Sequence, residues 1–392
     1  MKRNRALSVI IGTSLVCVAT SSVVGAPALA GQRSAASAPV SAAASTALSG
    51  LAERYLSDRA DQMLIQSSLS SQSKLASVPL GSAMASATAS DAVALSARRA
   101  ADHAGGVDFI RADVQLRGAT VSPGPGGTVV LHVVDDTKLY FKPVPGAPPY
   151  EESVAGRTFT FSGAGAAAQL LSQRLDDLTG LAPTTDVVPS DAAAGAAPSA
   201  PSIPPGTAST VRPPARTVFG RPTVRAASGG YNYSAMVNFE TTYWNGMPTS
   251  HYLPVPNNCT NFLSYALAAG GWSQVGVGGN VYNDSNWYVE DLRGTYGFWS
   301  YSHAWTVASE WNNFARNTGR VGVLSNIWYT ALAGVIQVQW HNTSQIDHTM
   351  MVTAVDGNNG HYMTYETNNT LNRPLIDIVN TNPGSTWYAD RT

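Results

Sequence analysis

Two rhythms of apolar residues run along the first half of the chain. Leu48, Leu51, Tyr55, Leu56, Met63 and Leu64 recur at helical spacing, with Arg54, Asp58, Arg59 and Asp61 on the other face. This predicts a helix of about five turns, followed by Ser/Ala-rich sequence. From Val107 the period falls to two. Asp113–Arg117 alternates, Ser122–Gly127 reads as a turn, and Val129–Val134 reads as a strand. Asp135-Asp136 reads as a tight turn into Lys138–Phe141, and Arg157–Phe161 as a further strand. Leu170, Leu171, Leu175 and Leu178 predict a helix over Ala166–Leu178. Residues 106–182 therefore read as a small α+β domain with an antiparallel sheet, and residues 31–105 as an Ala/Ser-rich region with one amphipathic helix.

Residues 183–228 lose the pattern. They are rich in Pro, Ala, Ser and Thr, and read as an extended, semi-rigid linker. From Gly229 to Thr392 aromatic residues crowd the sequence and mark the main core. Ser234–Trp244 has helical spacing. A second helix begins just after Cys259, with Phe262-Leu263, Ala266-Leu267 and Ala269 as its apolar face and Gly270-Gly271 at its end. Ser302–Phe314 predicts a third. Strands follow at Gly334–Trp340 and His348–Val355, then the hairpin turn Asp356–Gly360, then a strand from His361 to about Thr367. The order is helices first, then an antiparallel meander.

Composition narrows the classes. Charged residues make up 12% of the 392 and the formal net charge is −1, so there is no overall basic field to draw in nucleic acid or anionic membrane. Lys2, Arg3 and Arg5 precede an apolar run from Ala6 to about Ala19, and Ala28-Leu29-Ala30 has the small-x-small form of a cleavage site. Residues 1–30 read as a secretory signal removed near Ala30. The run is too short to span a bilayer, so no integral membrane anchor is expected, and export leads to an extracellular or wall-associated location. Cys17 leaves with the signal. Cys259 then stands alone, which excludes a disulfide framework within the mature chain.

A lone thiol in an exported protein is either buried filler or a nucleophile. Pro254-Val255-Pro256-Asn257-Asn258 cannot continue a helix backwards, so Cys259 lies at a helix start. There, unpaired backbone N–H groups stabilise a thiolate and can hold an oxyanion. His348 heads a strand whose alternate positions Met350, Val352 and Ala354 are apolar, so it faces the core or a cleft. A Cys-His pair needs the base within hydrogen-bond reach of sulfur and a third group to orient the imidazole. If Val355 pairs with His361, His348 meets Asn368, and Glu366 shares its face. A one-residue slip brings Thr367 and Asn369 there instead. Glu366 and Asn368 are the candidates, with Asn258 as further polar support. His103 and His132 lack a ligand pattern. The spacing of His341, Asp347 and His348 matches no strong zinc pattern, so no metal or cofactor is expected.

The segments Tyr231–Val237, Asn258-Cys259-Thr260-Asn261-Phe262-Leu263-Ser264, Asn286-Trp287-Tyr288, Ser302–Thr306, Ile346-Asp347-His348-Thr349-Met350-Met351-Val352-Thr353 and Glu366-Thr367-Asn368-Asn369 resemble the putative amidase domain family, within the papain-like (NlpC-like) Cys-His superfamily. The resemblance covers roughly residues 229–392. It implies a papain-like α+β fold, with Cys259 as nucleophile, His348 as base and the third polar residue at Glu366. The family usually has Asp where Asn258 stands, Gln where Tyr265 stands and Gly-Asp where this chain reads Gly334-Val335. It commonly has His where Glu366 stands.

The reading that follows is a secreted cysteine amidohydrolase or peptidase acting on peptides or peptidoglycan stem peptides. The alternative is a catalytically weak or inactive cell-wall binding module on a degenerate hydrolase fold. The many Trp and Tyr residues, such as Trp287, Trp299 and Trp305, would then serve as a stacking surface.

Overall fold

The alternating stretch after Val107 forms four antiparallel strands, β1 (Phe109–Pro123), β2 (Val129–Phe141), β3 (Tyr150–Phe161) and β4 (Leu170–Leu175). This comes from a computed structural model that describes residues 41–66, 77–165, 167–177, 180–187, 208–212 and 230–392. The expected signal segment, and most of the expected linker, lie outside the described residues. The expected N-terminal helix is present as α1 (Ala42–Asp61), with the Ser41 hydroxyl accepting from the Ala44 amide at 3.2 Å. A second helix, α2 (Ser82–Ala104), occupies Ser/Ala-rich sequence that carries little periodic signal. Its inward face includes Thr88, Arg98 and Asp102 beside Met84, Ala92 and Leu95.

Three sequence expectations need correction. Asp135-Asp136 is no turn, because β2 runs unbroken through it. Both aspartates are buried but partnered, Asp135 by Arg157 (2.7 Å) and Thr137 (2.7 Å), Asp136 by Arg117. Ion pairing offsets the burial cost that made these residues look like turn formers. Leu170, Leu171 and Leu175 lie on a strand, not a helix, and Leu178 is outside the described residues. β4 takes the free edge of β3, and this tertiary pairing overrides the local spacing. The single helix expected over Ser302–Phe314 is two, α6 (His303–Thr306) and α7 (Ala308–Asn317), broken at Val307 in an extended conformation (φ −114°, ψ 126°).

The aromatic-rich part begins with α3 (Tyr233–Tyr243) and α4 (Cys259–Ala269). A short hairpin pairs β5 (Val289–Asp291) with β6 (Trp299–Tyr301) around the single turn α5 (Arg293–Tyr296). Then come β7 (Gly322–Leu324), β8 (Val335–Gln339), β9 (His348–Val355), β10 (His361–Tyr365), β11 (Asn369–Pro374), α8 (Leu375–Thr381) and β12 (Thr386–Arg391). The protein is thus α+β, and its long sheet is antiparallel throughout. The strand order is β1-β2-β3-β11-β10-β9-β8-β12-β7, with β4 on β3. β3 pairs directly with β11, Val154 opposite Asn369 and Glu152 opposite Leu371. The sheet expected of an N-terminal domain and that of the C-terminal part are therefore one sheet.

Alternation along β8 and β9 assigns residues to its two faces. Val335 and Met351 pack with Phe262, Leu263 and Trp305 on the α4 side. Ile336, Val338, Met350 and Val352 pack with Trp340, Tyr365, Trp387 and Ile378 on the other. Where the two halves meet, Asp377 accepts from Arg98 (2.5 Å) and Arg373 (2.6 Å), and Arg373 donates to the Ala182 carbonyl at 2.7 Å.

Candidate active site

α4 starts where the sequence reading expected. Cys259 is its first residue, preceded by Asn258. The helix start is fixed from both sides. The Asn258 amide donates to Thr367 Oγ1 at 3.0 Å, and Asn261 Nδ2 donates to the Leu253 carbonyl (2.9 Å) and to Asn258 Oδ1 (2.7 Å). Asn261 Oδ1 in turn accepts from the Trp305 indole at 2.9 Å. Below the thiol, Thr260 Oγ1 lies 3.7 Å from Cys259 Sγ and 3.2 Å from Thr349 Oγ1. Gln337 Nε2 donates to Thr349 at 3.0 Å, and its Oε1 accepts from Asn312 at 2.8 Å. A fully buried polar chain therefore holds the first turn of α4 against β8 and β9.

Cys259 and His348 line one cavity of ≈ 260 Å³, together with Asn257, Thr306, Trp340 and Thr367. Two buried polar atoms of its lining, His348 Nε2 and Ser309 Oγ, have no hydrogen-bond partner. Buried polar groups are nearly always satisfied, so the fold leaves each of these two unspent beside the cavity. Among the described residues Cys259 Sγ has Thr260 as its hydrogen-bond neighbour, and neither Cys259 nor His348 figures among the groups that shift the other. Alternation along β9 turns Thr349 towards α4 and His348 the other way, against the rings of Tyr365 (5.0 Å) and Trp340 (6.3 Å). The two residues meet at the cavity because His348 is the first residue of β9, at the strand's end.

Electrostatics keeps both neutral. Burial pushes the Cys259 thiol up, against the pull of the Thr260 hydroxyl and of the backbone amides at Thr349, Thr260 and Cys259. Burial and then the Arg373 charge bring His348 down to about 3. The site is set as thiol and imidazole, not as thiolate and imidazolium.

Glu366 is placed elsewhere. His361 pairs with Val355 as expected, but the register slips between Tyr362 and Met363, so Thr364 meets Met351. The strand then ends in a turn of four residues between the paired Tyr365 and Thr370, whose central Thr367 (φ 68°) and Asn368 (φ 58°) are both left-handed. The slip puts Thr367, not Glu366, on the cavity with His348. Glu366 Oε2 accepts from Asn258 Nδ2 and the side chain lines a second pocket on the far side of Asn258. Burial pushes Glu366 up to about 8, against the Gly246 backbone. Asn368 sits in the turn, where its carbonyl accepts from Thr370 and its Nδ2 is unpartnered. Sequence reasoning passed over Thr260, Thr349 and Ser309. Thr349 was available from strand alternation, since it is the β9 residue one step from His348. Among the described residues no group of three or more His, Cys, Asp or Glu could hold a metal ion, and no helix is long and apolar enough to cross a membrane.

Residues 230–389 match the model of a protein family described as a putative amidase domain. The match covers less than half of the chain and all of the geometry above, and it points to hydrolysis of a C–N bond. No curated protein and no solved structure matches the chain. Two positions that depart from the family pattern, Asn258 and Glu366, are hydrogen-bonded to each other. The chain carries an Asn–Glu pair where the resemblance expects Asp and His, so a donor and an acceptor are kept with their positions exchanged.

Proposed function

We propose that the 230–392 part is a cysteine amidohydrolase, exported by the 1–30 segment, that cleaves amide bonds in peptides or peptidoglycan stem peptides. The observation that carries the reading is the common cavity of Cys259 and His348, with the imidazole neutral, and so able to take a proton, near pH 7. In this mechanism Sγ attacks the amide carbonyl carbon as its proton passes to the His348 imidazole. The oxyanion is held by backbone N–H groups at the start of α4. His348 then gives the proton to the leaving amine, and a thioester remains. Water attacks the thioester, giving its proton to His348, and the acid and free thiol are released. Because both groups start neutral, proton transfer accompanies attack rather than preceding it. A papain-like ancestry fits the helix-then-meander order, and Thr367 takes the wall position at His348 that Glu366 was expected to fill.

One observation favours a second reading, a weak or inactive wall-binding module. The thiol is buried and pushed up, and His348 is not among the groups that shift it. The test is release of amine from stem-peptide fragments by the full chain, Cys259→Ala and His348→Ala. Hydrolysis lost in Cys259→Ala and lowered about 10²–10⁴-fold in His348→Ala supports the enzyme. Fragments retained but uncut by the unaltered chain would give the case to the binding module. In parallel, alkylation by iodoacetamide is expected to rise only above the ordinary thiol range of about 8.5.

A further inference from the structure

The second pocket, behind Asn258, has a polar inventory that hydrolysis at Cys259 does not use. Its volume is ≈ 380 Å³. The walls are mostly apolar, from Met247, Tyr252, Leu253, Pro254, Val255 and Pro256. Glu366 also lines it, at 2% exposure; Oε2 accepts from Asn258 Nδ2, the Gly246 backbone lies close enough to lower the carboxyl, and Oε1 makes no hydrogen bond of good geometry. Glu240, on α3 and 1% exposed, lies close enough for the Glu366 charge to raise it, after burial, and its Oε2 is unpartnered too. Among the described residues neither glutamate has an ion pair, although buried carboxylates are ordinarily paired. Glu366 thus brings an unpartnered carboxyl oxygen to an apolar-walled pocket, with the buried Glu240 behind it outside the lining.

We propose that this pocket binds a primary alkylammonium group, its chain along the apolar wall and its –NH₃⁺ on Glu366 Oε1, the ammonium drawing the Glu366 carboxyl into its ionised form. An ammonium has three donors on one carbon stem and suits such a slot. A hard divalent ion does not, because it needs six or more oxygens or several retained waters, and the slot offers two carboxyl groups and hydrocarbon. The pocket shares its wall with the Cys259 cavity. Asn257 and Cys259 face one side and Asn258 the other, and Thr367 and Glu366 divide in the same way. Its use as a substrate subsite rests on the amidohydrolase reading. On that reading the preferred substrates carry a free amine, an amino terminus or an amine-bearing side chain, close to the cleaved amide.

The test is calorimetric titration of the full chain with butylammonium chloride, with 1-butanol and sodium chloride as controls. Saturable binding of butylammonium, at least ten-fold tighter than the alcohol, is expected. Glu366→Gln should weaken it about ten-fold or more, in line with loss of a charge-assisted contact. Val255→Phe, which fills the slot from its wall and leaves both acids intact, should do the same and stands in should Glu366→Gln fail to fold. Equal binding of the alcohol, or unchanged binding in either folded variant, overturns the site. Cys259→Ala separates the two readings. Ammonium binding kept by this variant supports the site whether or not the unaltered chain hydrolyses amides. Hydrolysis without ammonium binding overturns the site alone.

Discussion

Two pairs of buried acids in this molecule have opposite fates. Asp377 and Asp186 sit where the N-terminal strands and the C-terminal part meet. Each is gripped by arginines, Asp377 by Arg98 and Arg373, Asp186 by Arg157 and Arg59. These cations hold Asp377 well below the usual carboxylate range and Asp186 below it, despite full burial. Glu240 and Glu366 are as deeply buried, have no arginine or lysine partner among the described residues, and are pushed up. The first pair are joints, satisfied from within. The second pair are left open beside the cavity that holds Cys259. Full burial is common to both, so partnership, not depth, separates an acid that holds the fold from one free to meet a ligand.

The sharpest way to break the contrast is to neutralise one acid of each kind. Asp377→Asn leaves Arg98 and Arg373 buried without their counter-charge, and about 3–5 kcal/mol of stability should be lost. Glu366→Gln replaces a carboxyl that is largely protonated near pH 7 and leaves no buried cation behind, so its cost there should be far smaller. Urea unfolding of the two variants measures both. Equal losses would erase the distinction.

The next effect is smaller and opposite in sign for the two pairs. Asp377 is lowered in the fold, so its contribution is present above the usual range near 3.8 and fades as pH falls through its folded value. Glu366 is raised from 4.5 to about 8, so the unfolded chain loses this proton first. Stability from this group is full below 4.5 and is lost as pH rises from there to about 8. The slope is up to about 1.4 kcal/mol per pH unit. Over that window the advantage of Glu366→Gln over the unaltered chain should grow with pH, in unfolding midpoints taken at pH 5, 6.5 and 8. A constant difference would mean that Glu366 is already ionised in the fold.

What the sequence could and could not tell follows the same line between local and non-local causes. The start of α4 at Cys259 was legible because Pro254 and Pro256 bar a helix from running backwards. The start of β9 at His348 and the 356–360 turn were legible because alternation and Asp-Gly chemistry are local. The place of Glu366 was not. It depends on a slip between Tyr362 and Met363 and on a left-handed conformation at Thr367, which a β-branched residue seldom adopts. Nor was the β3–β11 seam, where the pairing residues are more than two hundred positions apart in the chain and no local pattern marks the edge. α2 escaped because much of its inward face is Ala, Thr, Arg and Asp, residues that periodicity does not count as core.

The finest test concerns the Asn258–Glu366 hydrogen bond, where two departures from the family pattern meet. If the pair is a matched exchange, each reversion alone should harm and both together should not. Asn258→Asp sets a carboxylate against Glu366 and removes the donor, while Glu366→His sets a ring against the Asn258 amide. The double variant Asn258→Asp/Glu366→His restores an acid opposite a base in the order the resemblance expects. A double-mutant cycle on unfolding free energy should give a favourable coupling of about 1–2 kcal/mol, within the range for contacting polar pairs. Because Asn258 also anchors the turn before Cys259 through Thr367 and Asn261, alkylation of the thiol should recover in the double variant in step with stability. Additive losses, with no recovery, would mean that the two positions changed independently and that the Asn258 contact does not set the helix start.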